Sequence, residues 1–154
     1  MKTNLKNILP TIILIVTILF IGSSCDNESA PYENDDQCNY QGLSYVNTTD
    51  NTEILISETD LNTQFFPNAS TGPFENPGVE IAGTNSDGFS VFFVTNVITD
   101  GASGAGKITF NSGERQSVTV TCQRAGTQVG DEFRYDIEIS GFEVEFCVII
   151  DEVL

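Results

Sequence analysis

The stretch "EFRYDIEISGFEVEFCVIID", residues 132–151, constrains the fold more than any other part of this sequence. Apolar and polar side chains alternate on both sides of Ser140-Gly141, which is the period of a β-strand with one buried face. A two-residue turn at Ser140-Gly141 would pair the two runs as an antiparallel hairpin. In that register the apolar residues oppose one another on a single face: Ile139 with Phe142, Ile137 with Val144, Tyr135 with Phe146, and Phe133 with Val148. The agreement between the turn and the hydrophobic pattern predicts this pairing.

The remainder of the chain after Cys38 has the same character. Short apolar or alternating runs are separated by Gly, Asn, Asp and Pro, which is typical of strands joined by turns. The segments "NTTDN", "NSDG" and "NSGER" fit hairpin turns, and "SETDLNTQF" fits one short helical turn capped by Ser57, with Asp60 answering the cap. The predicted strands are Gln41–Val46, Glu53–Ser57, Val79–Ala82, Phe89–Ile98, Lys107–Phe110, Ser117–Cys122, Phe133–Ile139 and Phe142–Ile150.

These strands predict an all-β domain over residues 38–154. Short strands at regular spacing favour a single antiparallel β-sandwich of the immunoglobulin-like kind, with a small closed β-barrel as the alternative. The chain has 154 residues, a length that fits one domain preceded by a short N-terminal region. The sequence indicates no internal repeat and no second folded domain.

The second face of the predicted hairpin is acidic. Its register sets Glu138 opposite Glu143 and Asp136 opposite Glu145, and Arg134 is the only basic residue in the hairpin. Like charges directly opposite one another destabilise a sheet. Three interpretations stay open: a weak calcium site formed by the four carboxylates, a surface for a basic partner, and a solvated face whose repulsion salt screens.

The composition excludes several classes of function. The chain carries 22 acidic residues against 6 basic ones, a formal net charge of -16. Such a chain repels nucleic acid, because binding there depends on Lys and Arg contacts to phosphates. The sequence has no His, which excludes Ser-His-Asp and Cys-His nucleophilic sites and His-based zinc sites. We therefore predict a protein that is not an enzyme, that does not bind nucleic acid, and that has no cofactor apart from the calcium considered above.

The segment "GASGAGK", residues 101–107, matches the start of a phosphate-binding loop, but its surroundings do not. Such a loop follows a strand and opens a helix, and a Ser or Thr after the lysine holds magnesium. Here Ile108 follows Lys107, and the next residues, "ITFNSG", predict another strand. We therefore predict a connection between two strands and no nucleotide binding.

The first 25 residues, "MKTNLKNILPTIILIVTILFIGSSC", contain a basic start, an apolar run and small residues before a cysteine. This is the layout of an export signal. The segment resembles a bacterial lipoprotein signal, in which Cys25 would become the lipidated first residue of the mature chain. Gly22 departs from the Leu, Val or Ile that is commoner at its position. The resemblance implies a signal peptide at residues 1–24 and a lipid anchor in the membrane at Cys25.

Residues 25–37, "CDNESAPYENDDQ", are acidic, lack basic residues and contain little to bury. This composition predicts a flexible tether. The tether resembles the acidic stretch that, in some Gram-negative lipoproteins, directs export to the outer face of the cell. The resemblance implies a surface-exposed lipoprotein of the outer membrane, with a periplasm-facing lipoprotein as the alternative.

Three further cysteines, Cys38, Cys122 and Cys147, are candidates for disulfide bonding. An exported chain enters an oxidising compartment, so we expect one disulfide. Cys122 shares the inward parity of Val120, whereas Cys147 has the outward parity of Glu145. A bridge between these two would need a bulge or a sheet edge, which favours a bridge that includes Cys38 and leaves its partner open.

These observations predict a lipid-anchored, non-enzymatic binding or accessory module at the cell surface or in the periplasm. The charge makes a basic protein a suitable partner, and a glycan is a second candidate. The alternative function is an acidic proteinaceous inhibitor of a basic enzyme such as lysozyme, which the complementary charge would favour.

Overall fold

The structure, a computed structural model, describes residues 38–68 and 76–154. The predicted signal peptide at 1–24, the predicted tether at 25–37 and Cys25 lie outside the described residues. By internal contacts the described residues belong to one unit, Asp36–Leu154. No helix within the described ranges is both long and apolar enough to cross a membrane.

The described residues form strands and one 3-10 turn, which confirms the predicted all-β class. The turn is Glu58–Asp60, between the second and third strands. The strands are β1 Gly42–Asn47, β2 Glu53–Ser57, β3 Leu61–Phe66, β4 Gly78–Thr84, β5 Ser90–Thr95, β6 Ser103–Phe110, β7 Gln116–Arg124, β8 Glu132–Ile139, β9 Phe142–Ile149 and β10 Glu152–Val153.

All of these strands belong to one sheet, in the order β10-β3-β4-β5-β6-β7-β8-β9-β1-β2. Neighbouring strands are antiparallel, as predicted, except that β10 runs parallel to β3. The parallel pair arises because the chain leaves β9 and crosses to the far end of the sheet before its last residues pair with β3.

The sheet curls, and the chain connects its two ends over a short distance. Strand β2 is the last strand at one end and β3 is next to the other end, yet only the turn Glu58–Asp60 separates them along the chain. A side chain also joins the two ends, since Asn85 Nδ2, in the turn after β4, donates to the Leu55 carbonyl oxygen in β2 at 3.2 Å. A flat sheet could not accommodate either connection.

The core lies on the inner face of the curled sheet. Rings from strands that are not neighbours pack there, with 5.6 Å between the centroids of Phe65 and Phe133 and 5.0 Å between those of Phe93 and Phe146. These four phenylalanines are buried. Full burial of one such side chain contributes roughly 1.5–3 kcal/mol, so these contacts hold the curl in place.

The β8–β9 hairpin has the predicted register in full. Residues Ser140 and Gly141 form the turn, and Gly141 adopts a φ of +82°, a conformation that glycine reaches without strain. The observed pairs are Ile139 with Phe142, Glu138 with Glu143, Ile137 with Val144, Asp136 with Glu145, Tyr135 with Phe146, Arg134 with Cys147, and Phe133 with Val148. The segments "NTTDN", "NSDG" and "NSGER" likewise connect β1 to β2, β4 to β5 and β6 to β7.

Strand β3 differs from the prediction made for "SETDLNTQF". The helical turn is limited to Glu58–Asp60, and the Ser57 side chain makes no capping hydrogen bond to it. From Leu61 the chain is a strand whose inward residues are Leu61, Thr63 and Phe65. The polar Thr63 on the buried face weakens the alternation, and this is why the sequence pattern does not reveal the strand.

Strand β10 was also not predicted, because a strand of only two residues is too short to show an alternation in the sequence. The Asp151 amide donates to the Thr63 carbonyl oxygen at 2.9 Å, and the Leu154 amide donates to the Phe65 carbonyl oxygen at 2.9 Å. The Asp151 carboxylate accepts from the Thr63 amide at 2.7 Å. The C-terminal residues thereby cover the edge of β3.

Candidate functional site

The acidic face predicted from the hairpin extends across five strands. On the outer face of the sheet, Glu53, Val46, Glu143, Glu138 and Thr119 are successive cross-strand neighbours on β2, β1, β9, β8 and β7. Three of these five side chains are carboxylates, and all three are exposed. The pairing of β1 with β9 therefore adds Glu53 to the four acids of the hairpin.

A second row of polar residues lies beside the first. Ser44, Glu145, Asp136 and Thr121 are cross-strand neighbours on β1, β9, β8 and β7. Apart from Thr121, the residues of the two rows line an open groove with a volume of about 730 Å³. We call this the acidic groove, and its principal residues are Ser44, Val46, Glu53, Thr119, Asp136, Glu138, Glu143 and Glu145.

The carboxylates of the acidic groove differ in how far they are neutralised. Glu145 Oε1 lies 2.9 Å from the Nε of Arg134 in an ion pair whose two side chains are mostly buried. Glu145 Oε2 also accepts from Asn39 Nδ2 at 3.1 Å, and Asp136 Oδ2 accepts from Gln123 Nε2 at 2.5 Å. These contacts fix the second row in place.

Glu138 and Glu143 are the least compensated acids of the groove. They oppose each other directly in the hairpin, and both side chains are exposed. Neither has a hydrogen bond or ion pair with another residue in the part of the chain that the structure describes. The first row therefore exposes negative charge to the solvent with little compensation from the described residues.

The sequence predicted a weak calcium site from Asp136, Glu138, Glu143 and Glu145, and the structure places all four on one face. Within residues 38–68 and 76–154, however, no three of these acids have oxygens within 4.8 Å of one another. Among the described residues, the one group of three potential ligands that meets this distance is Cys38, Glu132 and Cys147. Its two sulfur atoms are bonded to each other, so they are not thiolates that a metal could bind.

The structure joins Cys38 to Cys147 in a disulfide, with 6.0 Å between the two Cα atoms. This pairing includes Cys38, as the strand parity favoured. Cys147 has the outward parity of Glu145 but is fully buried. The side chain of Gln41 contacts it, with Nε2 donating to Cys147 Sγ at 3.4 Å. The bridge thus ties the residues before β1 to the strand that carries Glu143 and Glu145.

Cys122 is free and fully buried on the inner face. Its Sγ donates to the Arg124 carbonyl oxygen at 3.2 Å. Burial, with a smaller contribution from the Asp100 charge, raises the pKa of the Cys122 thiol to about 11. Because the thiolate is the reactive form, this cysteine is chemically inert at neutral pH.

Lys107, from the "GASGAGK" segment, lies within strand β6. The residues after it continue the strand, as the sequence predicted, but β6 already begins at Ser103, so the predicted connection is shorter than residues 101–107 and Gly104 and Gly106 belong to the strand. The backbone amides of this segment therefore pair with β5 and β7, and no helix begins here.

Comparison with known proteins finds no matching protein family, no similar curated protein and no similar solved structure.

Proposed function

We propose that the protein is a lipid-anchored, non-enzymatic binding module of the outer membrane whose acidic groove holds a basic ligand. The observation that carries this proposal is the row of Glu53, Glu143 and Glu138 on the outer face of β2, β9 and β8. Like charges in adjacent positions destabilise the free sheet, so a ligand that supplies Lys or Arg side chains would remove an unfavourable interaction as well as add a favourable one.

The shape of the acidic groove suits an extended segment of a basic protein. The groove is open to the solvent, and its volume of about 730 Å³ is in the range of sites for small ligands, which is enough for one or two side chains of a bound segment. Val46 lies between Glu53 and Glu143 in the first row, which gives the groove an apolar patch for the stem of a lysine or arginine. The charged head would then reach a carboxylate on either side.

The anchor follows from the N-terminal resemblance. A lipid on Cys25 and the acidic tether at 25–37 would hold the domain close to a membrane. We propose the outer leaflet of the outer membrane as the location, with the periplasmic face as the alternative.

Inhibition of a basic enzyme such as lysozyme is the alternative function. The same row of carboxylates supports it, because a basic enzyme surface would be attracted to the groove by the strong net negative charge of the chain. The two functions differ in outcome, since an inhibitor must also block the active site of its partner.

We also propose that the curled sheet is organised as a β-sandwich, with β3–β6 facing β8–β9 across the core. The ring contacts between Phe65 and Phe133 and between Phe93 and Phe146 support this arrangement. A small closed barrel is the alternative, and the short link from β2 to β3 supports it.

The ligand class can be tested by titrating the ¹⁵N-labelled full-length protein in detergent with a lysine-rich peptide of eight to ten residues. We expect amide shifts in β1, β8 and β9 and an affinity that falls as salt rises. The double variant Glu138→Gln, Glu143→Gln should weaken binding by roughly fivefold to tenfold, since each exposed ion pair contributes up to about 1 kcal/mol. A parallel assay measures whether the protein inhibits lysozyme.

The matched control is Asp87→Asn, Glu114→Gln, which removes the same formal charge at two exposed positions outside the acidic groove. Equal weakening by the two double variants would mean that net charge alone attracts the peptide, and the proposed site would be wrong. Peptide binding without inhibition of lysozyme supports the binding module, and inhibition that the groove variant abolishes supports the alternative.

A further inference from the structure

Two of the basic residues in the described ranges are not paired with an acid. Of the four Lys and Arg side chains in the described ranges, Arg124 lies 3.4 Å from Glu132 and Arg134 lies 2.9 Å from Glu145. Lys107 and Arg115 make no ion pair with any residue between 38 and 68 or 76 and 154, and both are exposed. In a chain with many more acids than bases, two cations that form no ion pair within the described residues are unexpected.

These two cations line the same groove on the outer face of β4, β5, β6 and β7. Its volume is about 400 Å³, and we call it the basic groove. The register makes Glu80, Val94, Lys107 and Ser117 cross-strand neighbours, so Lys107 lies in the middle of the groove. The groove is lined by residues that include Glu80, Phe92, Val94, Asn96, Lys107 and Arg115.

Arg115 is held in position by an aromatic ring. Its guanidinium carbon lies 5.2 Å from the centroid of the Phe92 ring, in a cation–π contact. A stacked guanidinium keeps its N–H groups at the edge, where they match the two oxygens of a carboxylate. Lys107, which faces the same groove, supplies a second charge that can reach the same anion.

The other polar groups of the groove are acceptors suited to hydroxyl groups. Asn96 Nδ2 donates to the carbonyl oxygens of Asn76 at 3.0 Å and Pro77 at 2.8 Å, which fixes the amide and leaves its Oδ1 as an acceptor. The Glu80 carboxylate is an acceptor on the opposite strand. Val94 forms an apolar floor between Glu80 and Lys107, against which the face of a sugar ring can pack.

We propose that the basic groove binds an acidic sugar, a uronic acid residue within a glycan. The carboxylate would bind Arg115 and Lys107, and hydroxyls of the ring would donate to Glu80 and Asn96. An acidic peptide fits less well, because Glu80 would repel its neighbouring carboxylates. A neutral sugar would leave both cations without a counter-charge.

This site is separate from the acidic groove. Strand β7 forms the border between the two grooves, since Ser117 lines the basic groove, Thr119 lines the acidic groove, and no described residue lines both. Binding of a sugar in the basic groove therefore does not depend on whether the acidic groove binds a basic ligand.

The test is an NMR titration of the ¹⁵N-labelled full-length protein in detergent with a trisaccharide that contains one galacturonic acid residue and two galactose residues and, separately, with the neutral galactose trisaccharide. We expect shifts confined to β4–β7 and an affinity for the acidic sugar at least tenfold higher than for the neutral one. The variant Arg115→Gln should weaken binding of the acidic sugar by about tenfold, the usual effect of losing a charge-assisted pair of hydrogen bonds.

The control variant is Arg124→Gln, which makes the same chemical change at an exposed arginine outside the basic groove, and it should bind as the unmodified protein does. Equal affinity for the two trisaccharides, or the absence of shifts in β4–β7, would overturn the proposal. Sodium acetate that binds as tightly as the acidic trisaccharide would also overturn it, because the groove would then recognise a carboxylate without its sugar. If Arg115→Gln lowers the melting temperature strongly, Lys107→Gln replaces it as the test variant.

Discussion

Glu138 and Glu143 lie directly opposite each other across the β8–β9 hairpin, both exposed and on the same face. An acid opposite a base at this position would make the sheet more stable than two opposed acids do. The repulsion between these two glutamates makes the first prediction.

The single change Glu138→Gln should stabilise the free protein. Removing one of two directly opposed like charges relieves up to about 1 kcal/mol, which corresponds to a rise of a few degrees in melting temperature. The gain should shrink as salt screens the repulsion. Thermal melting at low and high ionic strength measures it. Glu114→Gln, an exposed acid in the β6–β7 turn, is the control, and an equal gain from it would contradict the local repulsion.

The second prediction concerns the effect of calcium on stability, which tests the calcium site predicted from the sequence. If Asp136, Glu138, Glu143 and Glu145 turned towards one ion, calcium at about a hundred times its dissociation constant would add about 2.7 kcal/mol to the free energy of unfolding. Melting in calcium chloride is compared with melting in sodium chloride at the same ionic strength. Identical curves would reject the calcium site and leave the acidic groove to a basic ligand.

The third prediction concerns the disulfide. The bridge between Cys38 and Cys147 closes a loop with a sequence separation of 109. Loss of a bridge across a loop of this size costs about 3–5 kcal/mol, mainly through the entropy of the unfolded chain. We expect Cys38→Ser, Cys147→Ser to melt at least about 10 °C lower than the unmodified protein. A reducing agent should lower the melting temperature of the unmodified protein and leave that of the variant unchanged.

The buried thiol of Cys122 makes a fourth prediction, about alkaline pH. Its pKa is raised from 9.0 to about 11 on folding, so the folded state keeps its proton when the unfolded chain has lost it. The resulting stability is complete below pH 9 and is lost as the pH rises towards 11. Cys122→Ala should therefore show a shallower loss of stability between these two pH values. The slope of the free energy of unfolding against pH is the measurement, since the variant also changes packing. An unchanged slope would mean that Cys122 does not titrate differently in the two states.

The fifth prediction concerns Cys25. The N-terminal segment predicts that this residue is lipidated, so Cys25→Ser should lose both lipid labelling and membrane association when expressed in a Gram-negative host. Membrane fractionation with and without detergent measures the second effect. If Cys25→Ser fractionates and labels as the unmodified protein does, the anchor is wrong and the proposed location fails with it.

The features that were predicted correctly from the sequence depend on residues that are close together along the chain. The β8–β9 register follows from an alternation and a turn, both contained in one stretch, and Glu138 and Glu143 follow from that register. The pairing of β1 with β9 joins residues far apart in the chain, and no local pattern indicates it. Glu53 is part of the acidic groove only through that pairing, so the sequence did not predict its role.

The basic groove was beyond sequence reasoning for the same reason. Phe92 and Arg115 are in different strands or turns, and their contact depends on the order β5-β6-β7 and on the length of the turn before β7. The sequence did draw attention to Lys107, but through a glycine pattern that resembles a different site. The pattern did not predict that Lys107 lies on the outer face of the sheet between Val94 and Ser117.

The position of the disulfide also determines how tension would travel through the domain. Cys147 is in β9, two residues from Glu145, and it is bonded to Cys38 at the start of the described chain. A pull between an anchored N-terminus and a ligand held by Glu143 and Glu145 would therefore pass through one covalent bridge and a few residues of a single strand. The hydrogen-bonded ladders between the other strands would bear little of that load, so such a pull would not unravel the sheet from its first strand.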